Sequence, residues 1–91
     1  MRWLALLVVL SACASEPAPT AELAAARAAV EQASPAADYA PKELEAAQRK
    51  LSAAEGALAR GENLQARRLA EEAEVDARLA SALAENERSR Q

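Results

Sequence analysis

The stretch APKELEAAQRKLSAAEGALARG, residues 40–61, contains the start, the apolar seam and the end of one helix. Pro41 suits a first helical turn, where the amide hydrogen that proline lacks would have no partner. Apolar residues then alternate at spacings of four and three: Ala40, Leu44, Ala47, Leu51, Ala54 and Leu58. Gly61 follows, where a helix often ends in a left-handed backbone conformation. The stretch therefore predicts an amphipathic helix that ends in a glycine turn.

A second amphipathic segment begins around residues 62–64 and is seamed by alanine alone. Its stripe consists of Ala66, Ala70, Ala73, Ala77, Ala80 and Ala84. Leu69, Leu79 and Leu83 flank the stripe. Only a short polar break separates this segment from the preceding helix, so the two are expected to form an antiparallel hairpin.

A third helix is predicted on the N-terminal side of the hairpin. Thr20 is a candidate N-cap, and the apolar positions Leu23, Ala26, Val30, Ala33 and Ala37 follow at helical spacing. Ser34 and Pro35 should end or kink this helix, since proline cannot donate to the helical ladder. The predicted fold is all-α: a small three-helix bundle over residues 20–88, with a tail at 89–91.

The alanine stripe has two interpretations. In the first it is bundle core, because alanine lets a partner helix approach closely while leucines fill the space beside it. In the second it is a helix-docking surface for another copy of the chain or another protein. Large apolar side chains are few after residue 20, which makes an isolated three-helix unit marginal.

The first 13 residues describe an export signal. A positive start at Arg2 and an apolar run from Leu4 to Leu10 are typical of a secretory signal peptide. The run is too short for a spanning helix, which needs about 20 apolar residues. Leu10-Ser11-Ala12 directly before Cys13, the only cysteine, resembles the recognition site of a bacterial lipoprotein signal.

That resemblance implies cleavage after residue 12 and a covalent lipid on Cys13. The thiol would carry a diacylglycerol thioether and the new amino group an acyl chain, and two or more chains hold a protein firmly on a membrane. Residues 13–19, with two prolines, would form a lipidated tether. Ala14 follows the cysteine; in well-studied Gram-negative sorting an aspartate there favours the inner membrane, so alanine indicates the outer one.

Composition argues against several classes of function. The chain carries 11 basic and 14 acidic residues, a net charge of −3, whereas nucleic-acid binding needs a basic footprint. Without histidine, and with its cysteine lipidated, it has no activated nucleophile and base. The acidic cluster from Glu71 to Asp76 lies on a predicted straight helix, unlike the turning loops that bind hard cations. We expect no enzyme activity, metal, cofactor or small-molecule substrate.

Much of the helical region resembles the domain-of-unknown-function 4398 family. The resemblance is carried by Tyr39–Leu44, Ala47, Leu51, Ala54, Ala57–Glu62, Ala66, Leu69–Ala73 and Asp76–Ala80. It covers about residues 20–84 and implies a small helical envelope protein, often a lipoprotein.

Two functions remain. The first is a structural or adaptor lipoprotein on the periplasmic face of the outer membrane, presenting its helices to a second copy or to another envelope protein. The alternative is a small membrane-active lipoprotein resembling the entericidins. Bilayer-active helices have a wide bulky face bordered by Lys and Arg, whereas these helices have narrow seams and excess acid, which favours the first.

Overall fold

The computed structural model describes residues 16–90, which form three α-helices and one 3₁₀ segment. These are α1 (Thr20–Ala33), the 3₁₀ segment (Ser34–Asp38), α2 (Pro41–Ala59) and α3 (Asn63–Arg90). The prediction of an all-α three-helix bundle is confirmed. The predicted signal peptide, with Leu10, Ser11 and Ala12, lies outside the described residues, as does Cys13.

Helix α3 is the central element of the bundle. It forms an antiparallel hairpin with α2, and α1 packs chiefly against α3 and little against α2. At one end of the bundle Leu23 shares a cluster of buried residues with Ala70 and Ala73. At the other end Ala33 lies in a second cluster with Ala84. Helix α1 therefore runs in the same direction as α3, and its N-terminus lies beside the turn between α2 and α3.

The core consists almost entirely of alanine. Among the described residues, 16 apolar side chains other than proline are buried, and of these only Leu23 and Leu44 are not alanine. Leu51, Leu58 and Val30 are partly buried and pack against this core. Methyl-to-methyl contact requires close approach of the helices, so a larger side chain has little space to occupy.

Local sequence sets the ends of the helices. The Gly61 amide donates to the Leu58 carbonyl (3.0 Å) and the Glu62 amide to the Ala57 carbonyl (2.9 Å), the two bonds of a Schellman motif. Gly61 has φ 76°, so the predicted left-handed turn is confirmed. The start of α1 was wrongly predicted: Thr20 is inside the helix, Pro19 occupies the cap position, and no side chain caps it.

Two further boundaries differ in detail from the prediction. Helix α1 ends at Ala33, as Ser34 and Pro35 suggested, but the chain then continues as a 3₁₀ segment that buries Ala36. Helix α3 continues to Arg90, so residues 89 and 90 belong to the helix and not to a tail. Proline explains the first change, since its missing amide interrupts the α-helical ladder.

We predict opposite effects for alanine at the two glycines. Gly61→Ala should destabilise the bundle by about 1–2 kcal/mol, because an L-residue is strained in the left-handed region. Gly56→Ala lies inside α2, where the new Cβ would meet only the mobile end of Arg60 at 3.3 Å, and should stabilise by about 0.5–1 kcal/mol. Urea unfolding measures both changes, and equal shifts would contradict the turn assignment.

The alanine core leads to a second prediction. Ala54 is fully buried and its neighbour Ala53 is exposed. Ala54→Leu should cost about 1–3 kcal/mol through overpacking, whereas Ala53→Leu on the same helix should change stability by about 0.5 kcal/mol or less. Chemical denaturation of the pair is the measurement, and equal stability of the two variants would show that the interior has room for leucine.

Candidate interaction surface

The predicted alanine stripe lies in the interior of the bundle. Its six members are 0–2% exposed and are Ala66, Ala70, Ala73, Ala77, Ala80 and Ala84. They pack against α1 and α2 of the same chain. The stripe is thus a helix-docking surface for the chain's own helices, as the core interpretation predicted. In the folded chain it has no accessible area for a separate partner.

The opposite side of α3 carries bulky apolar side chains in solvent. Val75 is 64% exposed, Leu79 48% and Leu83 40%. Two residues along an α-helix correspond to a rotation of about 200°, so Val75, between Ala73 and Ala77, points away from the core. We call Val75, Leu79 and Leu83 the outer face of α3. It is an apolar helix face that no other described element covers.

Sequence reasoning missed this outer face. It described Leu79 and Leu83 as flanking the alanine stripe and did not single out Val75. The signal was present as apolar residues at i, i+4 and i+8, half a helical turn from the stripe. Spacing alone does not indicate exposure, since a stripe of leucine and valine on a helix is usually the buried one.

A charged groove lies between α2 and α3, with a volume of about 470 Å³. The Lys50 Nζ atom is 2.7 Å from Asp76 Oδ2 and 3.5 Å from Glu72 Oε1. Asp76 Oδ2 is a buried oxygen, and the Lys50 ammonium at 2.7 Å is its charged partner. Lys50 of α2 is therefore the ionic partner of Asp76 of α3.

The carboxylates of Asp76 and Glu72 change the pKa of Lys50. Direct contact with the Asp76 carboxylate is the main reason that the pKa of Lys50 is raised above its ordinary value, and Glu72 adds to it. Across residues 16–90, no three acidic, histidine or cysteine side chains are grouped so as to hold a metal ion. The ion pair between Lys50 of α2 and Asp76 of α3 links the two helices across the groove.

Part of the predicted tether is docked on the bundle. The Asn63 Nδ2 atom donates to the Glu16 carbonyl (2.9 Å), and the Glu16 carboxylate forms an ion pair with Arg67. Pro19 is buried. The segment from Glu16 onward therefore lies against the first turn of α3, at the same end of the bundle as the Gly61 turn.

The other end of the bundle is closed by an aromatic contact. The Arg88 guanidinium lies 5.8 Å from the centre of the Tyr39 ring, within the range of a cation–π interaction. It links the last turns of α3 to the segment that precedes α2.

The fold and its surface define a class: a small alanine-cored three-helix bundle with one bulky apolar face in solvent. None of its described helices has the length and apolar character needed to cross a bilayer. The family model described as "domain of unknown function (DUF4398)" matches residues 21–91. The chain belongs to this family, as its sequence suggested. No curated protein and no solved structure matches it.

The Lys50–Asp76 pair predicts a pH-dependent contribution to stability. Lys50→Met keeps most of the aliphatic stem but removes the charge, so the melting temperature should fall at pH 7. Because the folded pKa of Lys50 is raised, its contribution is complete below about pH 10.5 and is lost as the pH rises through the folded pKa. The difference between wild type and Lys50→Met should therefore shrink above pH 10.5. An unchanged difference would exclude the ion pair as its cause.

Proposed function

We propose that this chain is a lipid-anchored envelope protein, facing the periplasm from the outer membrane, with a non-catalytic structural or adaptor role. One observation carries the proposal. Helix α3 buries alanine and exposes valine and leucine, the reverse of the arrangement expected for a helix with only its own bundle to stabilise. Exposed apolar faces of this kind are typical of protein contact sites.

The sequence supports the anchor. A short apolar run and Leu10-Ser11-Ala12 precede Cys13, the only cysteine, in the order that a lipoprotein signal requires. Lipidation would use this thiol, and the chain has no histidine to serve as a catalytic base. On this proposal the protein acts by contact at a membrane surface.

The docked segment gives the proposal an orientation. Only two residues separate Cys13 from Glu16, and the three Cα–Cα steps between them span at most about 11 Å. Since Glu16 is held beside the Gly61 turn, a lipid on Cys13 would keep this end of the bundle close to the bilayer. The 28 residues of α3 would then carry its C-terminus about 42 Å along the helix axis.

Charge favours this role over a membrane-active one. A helix that lies on a bilayer is rich in Lys and Arg on its polar side. The outer face of α3 is bordered by equal numbers of both signs, Glu71, Glu72 and Glu85 together with Arg68, Arg78 and Arg90, and the chain carries a net charge of −3. Anionic headgroups would attract such a mixed surface only weakly.

Replacement of the cysteine tests the anchor. Grown with a labelled fatty acid in a Gram-negative host, the wild type should incorporate the label and Cys13→Ser should incorporate none, because it cannot form the thioether. The control Ser15→Ala keeps the cysteine and should be labelled. Mass spectrometry of the wild-type N-terminus should find Cys13 as the first residue, with diacylglycerol and an acyl chain. An unlipidated N-terminus, or a labelled Cys13→Ser protein, would refute the proposal.

A further inference from the structure

The exposed side of α3 contains a second heptad seam. Its positions alternate at spacings of four and three and are Val75, Leu79, Ala82 and Asn86. All four are exposed, and Leu83 borders the seam. A seam with this spacing is the pattern by which one helix packs along another in a coiled coil. We call these four residues the outer seam.

We propose that the outer seam pairs with the outer seam of a second copy of the chain, in parallel, over residues 75–90. This inference rests on the proposed function and names the partner of the surface described there. The pairing buries valine and leucine that the monomer leaves in solvent. Ala82 lets the two helices approach closely between the layers of Leu79 and Asn86.

Asn86 favours this kind of partner. It occupies the first core position of its heptad, where a single asparagine sets register and oligomeric state in parallel coiled coils. Leucine at the first core position with a β-branched residue at the fourth by themselves favour more than two strands, so Asn86 supplies the selection for a pair. Against a continuous apolar partner or a lipid tail its amide would have no hydrogen-bond partner, whereas a second Asn86 provides one.

The charges beside the seam are complementary in the parallel arrangement. Glu85 borders the seam five residues before Arg90, the offset at which the two positions meet across a parallel pair. Both are exposed, and neither forms an ion pair within the described chain. Two equivalent Glu85–Arg90 contacts would therefore form. At the two heptad positions before Val75, Arg68 would face Arg68 of the second copy and Glu72 would face Glu72. Like charges repel, so the pairing begins at Val75.

The docked N-terminal segment also favours the parallel direction. Glu16 is fixed at the turn end of the bundle, so two copies anchored upright in one leaflet point the same way. An antiparallel pair would place the two anchors at opposite ends of the assembly. Restriction to one membrane surface raises the effective concentration of the second copy, which allows a short seam to associate.

Cysteine cross-linking of the full-length lipoprotein in bacterial membranes tests the pairing. Lipidation uses Cys13, so an introduced cysteine is the one free thiol. Ala82→Cys, a small-for-small change in the outer seam, should give a cross-linked dimer under mild oxidation, since paired core positions lie within disulfide reach. Ser52→Cys, a similar change on the exposed surface of α2, is the control and should stay monomeric.

A second variant separates pairing from chance collision. Leu79→Glu, added to Ala82→Cys, should lower the cross-linked fraction at least about tenfold, because it places an unpaired charge in the seam. Circular dichroism should show an intact helical fold, since Leu79 is exposed. An undiminished cross-link would overturn the proposal.

The remaining outcomes distinguish this inference from the proposed function. A membrane-bound protein with no Ala82→Cys dimer above the control overturns the pairing and leaves the anchor intact. In a protein found unlipidated Cys13 is also a free thiol, so a dimer of Ala82→Cys above that of the Ser52→Cys control refutes the anchor and supports the seam. Cross-linking between Leu79→Cys and Ala82→Cys chains without Ala82 homodimers would show antiparallel contact and overturn the parallel arrangement.

Discussion

Close contact between alanine methyl groups is the interaction on which the rest of the structure depends. Helix α3 offers six alanines to α1 and α2, and each contact forms only when the helix backbones approach closely. Individual methyl contacts contribute little dispersion energy, but their number grows with helix length. Helix α3 is 28 residues long, and this length allows many weak methyl contacts to add up to a useful stabilisation of the bundle.

Close approach also determines where the larger apolar residues lie. Leucines on α1 and α2 fit at the edges of the contact, where Leu23 and Leu44 are buried and Leu51 and Leu58 partly so. Helix α3 lies between both partners, and the centre of its inner side is lined by alanine. Leu69 fits at the border of this side and is partly buried against the core, whereas Val75, Leu79 and Leu83 lie on the outer side, where no other described element covers them.

Sequence reasoning captured the elements whose cause is local. Pro41 at the start of α2 and Gly61 after its end depend on the backbone chemistry of single residues, and both were predicted. The bundle core was predicted from the spacing of apolar residues. Thr20 was misplaced because several polar residues can start a helix, and here Pro19 takes the cap position.

Features with a tertiary cause were not predictable in the same way. Both stripes of α3 have helical spacing, and packing against α1 and α2 decides between the two interpretations of the alanine stripe, core or docking surface. The contact between Glu16 and Asn63 joins residues 47 positions apart, and no local rule identifies such a pair. The same is true of Lys50, the partner of Asp76, since either residue alone reads as a solvated charge.

The small alanine core gives this bundle limited stability, and both the proposed anchor and the exposed outer face of α3 bear on how it could gain more. A core of methyl groups leaves a modest margin over the conformational entropy lost on folding, so burial of further apolar area has a large relative effect. Complete burial of a valine or leucine side chain contributes about 1.5–3 kcal/mol, and α3 keeps several such side chains available.

In dilute solution, association must overcome the loss of translational and rotational freedom. A chain held by the proposed anchor has already lost much of its translational and rotational freedom, and the docked Glu16 segment fixes which end of the bundle faces the membrane. A bundle too thin to be very stable alone can therefore gain stability from the contact that the proposed function requires.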